Sequence, residues 1–355
     1  MKILFLTPYP YNKAPSQRLK FEQYYPHFVQ EGFEIHKSAF VSNNFWDIIY
    51  KKGYFFKKTF YSITGYLRRI TVLFSVPKYD VVYIHLWVTP FGPPIFEWLV
   101  RKLAKKVIYD IDDLIYISYE KGILKLLKGK TKPLYLIRHS DHVITCTPYL
   151  DEFVRKYNSN TTDISSTINS DTYRPVNEYS NQERLTIGWS GSHSTSRFLY
   201  LLTDILKEIY KEIPFKLLVM GDANFNIQGL EVEAVEWTDG GEIPTLQKMD
   251  IGLYPLPLND KWVLGKSGLK ALQYMMLGIP VVATAIGANF RVIEDNVSGF
   301  LVTTQEEWKE KLILLLKDAE LRAKIGRMAR KKAETEFSIK ETAPVYISIL
   351  HKITS

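Results

Sequence analysis

The sequence predicts an α/β protein of two doubly wound domains, and three observations carry that prediction. Runs rich in Val, Ile, Leu and Tyr alternate with amphipathic helical patterns, as in parallel sheets covered on both faces. The alternation starts twice, each time as strand, polar turn and helix. At 355 residues the chain is also too long for one ordinary core and suits two domains of roughly 150 residues or a little more.

In the first half, strands are expected at 2–6 (KILFL), 33–40 (FEIHKSAF), 80–85 (DVVYIH), 106–110 (KVIYD) and 142–146 (HVITC). In the second half they are expected at 185–190 (LTIGWS), 215–220 (FKLLVM), 231–237 (EVEAVEW), 250–254 (DIGLY) and 279–284 (IPVVAT). Strand 185–190 runs into Ser-Gly-Ser-His-Ser-Thr-Ser, after which Phe198, Leu201, Leu202, Ile205, Leu206, Ile209 and Ile213 recur at three- and four-residue spacing, one helix face. The polar stretch RPVNEYSNQER, 174–184, has no apolar period and is the linker candidate. The reading is two Rossmann-like domains, 1–173 and 174–337, facing a cleft. A last helix over about 338–352 carries Ile339, Val345, Ile349 and Leu350 as its apolar positions.

Composition narrows the classes. One cysteine, Cys146, excludes an internal disulfide framework and fits a reducing compartment. The opening MKILFLTPYP has one lysine and a short apolar run ended by Thr7-Pro8, a first strand rather than a signal-peptide core. No apolar run approaches the ~20 residues that span a bilayer. A soluble or peripheral protein is expected, cytoplasmic or at the inner face of the membrane. Residues 1–175 carry 25 Lys+Arg against 15 Asp+Glu, and residues 176–355 carry 21 against 23, so a basic half adjoins a near-neutral one. The basic half is suited to an anionic partner.

Ligands of doubly wound sheets bind beyond the carboxyl ends of the strands. In GKSGLKALQYMM, Leu269, Leu272, Met276 and Leu277 form the expected buried face, and Lys266, Lys270, Gln273 and Tyr274 share another. A cation at a helix N-terminus opposes the dipole by ~0.3–1 kcal/mol unless an anion intervenes. The backbone N–H groups of Ser267, Gly268 and Leu269 would serve the same anion. Alternatively, Gly265 and Gly268 only make a turn and Lys266 is a solvated charge. A Walker A loop is excluded, because its first glycine would fall at position 260, which is Asp.

In GWSGSHSTS, Gly191, Ser192, Ser194 and Thr195 offer phosphate donors, with Arg197 as a charge partner. The alternative is plain helix capping by Ser194 or Ser196. In YDIDDLIY, Asp110, Asp112 and Asp113 crowd a strand end, a pattern for acceptor chemistry, a divalent metal, or an N-cap with a solvated pair. His85 ends its strand, where it is either structural or catalytic. Arg18, after the proline-rich loop TPYPYNKAPSQR, is expected to start the first helix and either steers a phosphate or sugar or sits in solvent.

The second half resembles the retaining glycosyltransferases of family 4, with the GT-B architecture. The resemblance rests on MDIGLYPLP followed by GKSGLKALQYMMLGIPVVAT, with GWSGS, YDIDD and INSDTYRPV as companions. It is strong at 250–302 and 185–197, weak at 40–80. QYMMLGIPVV is similar to the family's EAMAxGxPVV run, so Gln273 stands at the second glutamate of its Glu-x7-Glu segment and Gly265 at the first.

The resemblance implies a hexose-type sugar moved from a UDP- or GDP-type sugar to an acceptor hydroxyl, with retention, in cell-surface polysaccharide or lipid-linked glycan synthesis. It implies no bound metal or other cofactor. Residues 267–269 with Lys266 would hold the diphosphate, and Gln273 would hydrogen-bond the ribose. Residues near Gly221 and Trp237 would meet the base. Asp112 takes the place of a family histidine, and Arg18 would help stabilise the leaving group. The first domain would bind the acceptor, the second the donor, and the terminal helix would cross back to the first domain. The competing readings are a GT-B nucleotide-sugar epimerase and a non-catalytic lipid- or nucleic-acid-binding protein on the same scaffold.

Residues 45–74 interleave aromatics with Lys51, Lys52, Lys57, Lys58, Arg68 and Arg69. That composition suits an anionic membrane surface, and equally a helical hairpin with solvated lysines. Aromatics with cations also suit single-stranded nucleic acid. No RNA-binding motif is present, and nucleic acid is not expected as a partner.

Overall fold

The computed structural model describes residues 1–116, 131–175, 184–238 and 240–355. They form two compact units, Met1–Ser166 with Thr342–Ser355, and Thr167–Glu341. Most of the linker expected over 174–184, namely 176–183, lies outside the described residues. The division falls at Thr167 rather than at 174 because residues 168–173 are tied into the second unit. Ile168 bridges to Ser338, and the Arg330 guanidinium donates to the carbonyls of Ser170 and Tyr173.

The first unit holds β1 (Lys2–Thr7), β2 (Glu34–Ala39), β3 (Val81–His85), β4 (Val107–Asp110), β5 (His142–Thr145) and β6 (Thr161–Asp163). They form one parallel sheet in the order β2-β1-β3-β4-β5-β6. The second unit holds β7 (Thr186–Ser190), β8 (Lys216–Met220), β9 (Val232–Val235), β10 (Ile251–Tyr254), β11 (Val281–Thr284) and β12 (Phe300–Val302). Their order is β12-β11-β10-β7-β8-β9, again all parallel. The doubly wound α/β expectation holds in both halves. β6 and β12 carry no sequence expectation; each is a three-residue edge strand, too short to show a run.

Each sheet has one point where the winding reverses: β1/β3 in the first unit and β10/β7 in the second. Loops leaving a sheet at such a point diverge and leave a crevice at the strand ends. The first unit's core is aromatic, with the Phe5 ring 4.8 Å from those of both Tyr83 and Tyr25. The terminal helix Ile339–Thr354 buries Ala343, Tyr346, Ile349, Leu350 and Ile353, while Val345, expected on the apolar face, is exposed. Tyr346 packs on Tyr24 with ring centroids 4.7 Å apart and donates to the Lys20 carbonyl.

In the second unit the helix expected from 198 begins as a 3₁₀ segment, Ser196–Leu202, and becomes α-helical at Thr203–Glu212. The tighter three-residue period turns Leu201 out to solvent while Leu202, Ile205, Leu206 and Ile209 stay in the core. No helix among the described residues is long and apolar enough to cross a membrane.

Candidate active site

At the reversal point of the second unit, glycine lets three pieces of chain meet. Gly191 follows β7, and a Cβ there would run into the Trp189 ring and stand 2.8 Å from Cε of Lys270. Gly221 follows β8 with φ +101°, and its Cβ would collide with the Gly191 carbonyl oxygen. Both positions therefore admit only glycine at this spacing. Between them the loop is closed by hydroxyls. Ser192 Oγ lies 2.9 Å from Ser194 Oγ, and Thr195 Oγ1 donates to the Ser192 carbonyl at 3.1 Å. Ser196 Oγ is 2.5 Å from Asp222 Oδ2, and His193 Nδ1 is 2.9 Å from the other oxygen of the same carboxylate. Neither Ser194 nor Ser196 caps the following segment, whose N-cap is Thr195 without a side-chain bond.

The helix Leu269–Met276 opens on Gly268, which is left-handed at φ +78° and would bring a Cβ to 2.9 Å from Val292. No acidic residue stands in its first turn. Ser267 and Leu269 flank that glycine and keep part of their surface. The Lys266 ammonium lies 3.3 Å from the centroid of the Trp262 ring. Lys270 lies over Trp189 at 4.7 Å and Tyr254 at 5.4 Å, with a 3.4 Å hydrogen bond to Thr195 Oγ1. Among the described residues no carboxylate pairs with it. Burial, and secondarily the Lys266 charge, pull its pKa down to about 7.

The rest of this helix differs from the two-faced expectation, because residues 271–276 are buried all round. Tyr274 turns to β7, where its hydroxyl accepts from the Ser190 N–H at 2.7 Å. Gln273 donates to Tyr173 Oη and to Glu242 Oε1, both at 3.0 Å, and Tyr173 donates to Glu242 Oε2. That amide is committed inside the unit. Arg197 is exposed with its guanidinium 5.2 Å from the Phe198 ring, and Trp237 is half-buried beyond the end of β9.

The site of the first unit is built from charges. His85, at the end of β3, is paired in register with Asp110 of β4 and has no solvent access. Its Nδ1 lies 3.3 Å from Asp110 Oδ2 and its Nε2 lies 3.9 Å from Asp112 Oδ2. Asp110 also accepts from Tyr83 Oη at 2.7 Å and faces the Lys20 ammonium at 3.7 Å. Lys20 is itself buried and donates to the carbonyls of Thr145 and Ile164.

Burial opposes the charge on Asp110, yet Lys20 and His85 outweigh it and lower its pKa. Burial dominates at Asp112, and Asp113 and Asp110 reinforce it against His85, so its pKa is raised. Burial also works against a charged His85, but Asp112 and Asp110 prevail and raise its pKa. Two neighbouring carboxylates are thus pushed apart, the pattern of an acid or base beside a fixed anion. Asp112 keeps 14% of its side-chain surface, where His85 and Asp110 keep none. Leu86, next to His85, holds a left-handed φ of +59°, strain at a strand end of the kind found beside functional groups.

Arg18 does not start the first helix. It is the last residue of the single turn Pro15–Arg18 and is half-buried. No group of three or more His, Cys, Asp and Glu side chains is placed to hold a metal among the described residues. Lys20, Glu242, Tyr173 and Asp222 carried no expectation. A lysine between Leu19 and Phe21 was the one local signal, since a cation flanked by core residues needs a buried partner.

Residues 184–318 match the family described as glycosyl transferases group 1. D-inositol 3-phosphate glycosyltransferase of Saccharomonospora viridis is 37% identical over 84 residues, 23% of this chain and 19% of that one. The curated relatives are matched over about a fifth of their own length. Among solved structures, sucrose-phosphate synthase of Thermosynechococcus elongatus superposes with a TM-score of 0.72 at 14% identity, over 99% of this chain and 98% of that one. HepE of Anabaena, solved in complex with UDP and glucose, superposes at 0.69 with 15% identity, over 99% and 100%. The family match thus falls on the second half of the chain, over residues 184–318, and the two parallel sheets of the chain are those of the GT-B fold.

Proposed function

We propose that the protein is a retaining glycosyltransferase. It moves a hexose-type sugar from a UDP- or GDP-sugar to an acceptor hydroxyl of a glycan or lipid-linked glycan, without a metal, in the making of a cell-surface polysaccharide or lipid-linked glycan. The second unit takes the donor and the first takes the acceptor. One observation carries the donor assignment: Lys270 is a half-buried ammonium with aromatic rings and a hydroxyl around it and no carboxylate among the described residues. An anion supplied by a ligand satisfies it.

The donor diphosphate lies against Lys270, Lys266 and the backbone at 267–269, with the glycine contact of Gly191 and Gly221 keeping side chains out of its way. As the sugar–phosphate bond breaks, positive charge grows on the sugar and negative charge on the diphosphate, and fixed cations stabilise the latter. The acceptor oxygen bonds to the anomeric carbon. Asp112 handles the proton at the acceptor, with His85 positioning its carboxylate and Asp110 holding the charge of His85 and Lys20. Arg18 steers the anionic part of the substrate. Gln273 acts through Glu242 rather than on the ribose.

A thermal-shift panel with UDP, GDP, ADP and their sugar conjugates tests the reading. A ligand at a hundred times its Kd stabilises by ~2.7 kcal/mol, a readily measured shift. Stabilisation by one nucleotide that Lys270→Ala abolishes is the expected result. Stabilisation that persists unchanged in Lys270→Ala and Lys266→Ala removes the donor site, and turnover of a nucleotide sugar without acceptor redirects the chain to epimerase chemistry.

A further inference from the structure

The helix Phe55–Leu73 has one face docked and the other bare. On the docked face Gly65 lies against Phe40, where a Cβ would stand 2.7 Å from the ring. Tyr61 and Tyr66 pack on the small core of Phe40, Val41 and Phe45. Arg69 is fully buried and donates to the carbonyls of Thr7, Ser38 and Val88, and Arg68 donates to that of Ala39. Those two arginines belong to the fold and are withdrawn from any surface role.

These contacts fix what faces outward. Phe56, Phe60, Ile63, Leu67, Ile70 and Phe74 recur at spacings of four and three, a single stripe of the helix. Their exposure runs from 44% for Ile70 to 85% for Phe56. At 1.5 Å per residue the stripe is about 27 Å long. Six large apolar side chains in one row exceed what scattered surface residues explain.

Charge identifies the occupant. Between Asp47 and Asp80 the chain has no Asp or Glu, and Lys51, Lys52, Lys57 and Lys58 gather at the start of the helix. Its first turn has no acid either, so the lysines add to the positive end of the dipole. A second copy docked through this same face would bring no acidic side chain from residues 48–79 to these lysines. A bilayer with anionic headgroups supplies both missing partners, phosphates for the ammonium groups and acyl chains for the stripe.

We infer that the Phe55–Leu73 helix lies flat in the interface of an anionic lipid bilayer. The phenylalanines and aliphatic residues enter the acyl boundary, and the exposed Lys52 and Lys57 reach the headgroups. The inference rests on exposure and charge, and stands whether or not the donor assignment does.

The test is sedimentation of the full chain with vesicles of phosphatidylcholine alone and of phosphatidylcholine mixed with phosphatidylglycerol. All substituted residues are at the surface, and a thermal melt of each variant checks its fold. Wild type is expected to pellet with the mixed vesicles only. Lys52→Ala/Lys57→Ala loses roughly thirtyfold in affinity, at about one lysine's contribution each. Ile63→Glu/Leu67→Glu loses more than about a hundredfold. Absence of binding to the mixed vesicles overturns the inference. So does equal pelleting of the Ile63→Glu/Leu67→Glu variant, or a self-association of wild type that this variant abolishes without any vesicle binding.

Discussion

At the end of β3 and β4, charge answers charge: His85 lies between Asp110 and Asp112, and Lys20 closes the far side of Asp110. At the end of β7 and β10, Lys270 meets rings and a hydroxyl, and the space beside it is kept by Gly191, against which Gly221 packs. The first site pairs its charges internally, and in the proposed reading its chemistry consists in moving a proton within that fixed field. The second site leaves Lys270 without a carboxylate among the described residues, and in the proposed reading the donor diphosphate supplies the missing charge. A half-buried cation with no carboxylate partner among the described residues raises the free energy of the empty protein, and an entering anion relieves it.

The contrast can be broken most severely at Asp110. Asp110→Asn leaves two buried cations without their anion and is expected to destabilise the first unit by ~3–5 kcal/mol, measured by urea unfolding. Asp112→Asn should cost no more than about 1 kcal/mol while stopping turnover, because Asp112 retains solvent contact. Equal destabilisation by the two would erase the distinction between a structural and a reacting carboxylate.

Next in size, Lys270→Ala and Lys266→Ala should each lower turnover by roughly a hundred- to a thousandfold with unfolding midpoints near wild type or above. Near-wild-type turnover in both would show the second site to be complete without them. Gly221→Ala should destabilise by about 2–3 kcal/mol, since the new Cβ meets backbone at Gly191 rather than a movable side chain. Calorimetry that finds it neutral would mean that the two loops are not held at this distance.

The smallest effect is the pH dependence of Lys270. Its folded pKa, about 7, lies below the ordinary 10.5, so the unfolded chain binds more protons between the two. Stability therefore rises with pH across that window. Relative to Lys270→Met, the ligand-free wild type should gain stability from about pH 7 to about pH 10, while nucleotide affinity falls over the same range. A difference curve flat in pH would deny the enclosed ammonium.

The sequence made the two sheets legible because their strands are continuous apolar runs, and it made Lys266, Lys270 and Gly268 legible because glycine and lysine at a helix start have few other uses. It hid the partners that come from far along the chain. Lys20 reaches the carbonyls of Thr145 and Ile164, and Glu242 reaches Gln273, contacts with no local pattern. Leu201 and Val345 were misplaced by assuming a 3.6-residue period, or an apolar face, where the 3₁₀ turn and the docking of Tyr346 decide. Arg68 and Arg69 illustrate the opposite error: a basic pair beside aromatics reads as surface, and both serve the carbonyls of neighbouring strands and loops.

The Gln273–Glu242–Tyr173 cluster has a consequence for how this site can change by mutation. A glutamate at 273 would set a second carboxylate at hydrogen-bond distance from Glu242 inside a buried pocket and remove the amide that donates to Glu242 and to Tyr173. The single step from Gln273 to glutamate thus leaves two buried carboxylates facing each other, whereas Glu242→Gln leaves two amides, which pair N–H to C=O. Positions 31 residues apart therefore depend on one another, and the order of the two changes decides how stable the intermediate is.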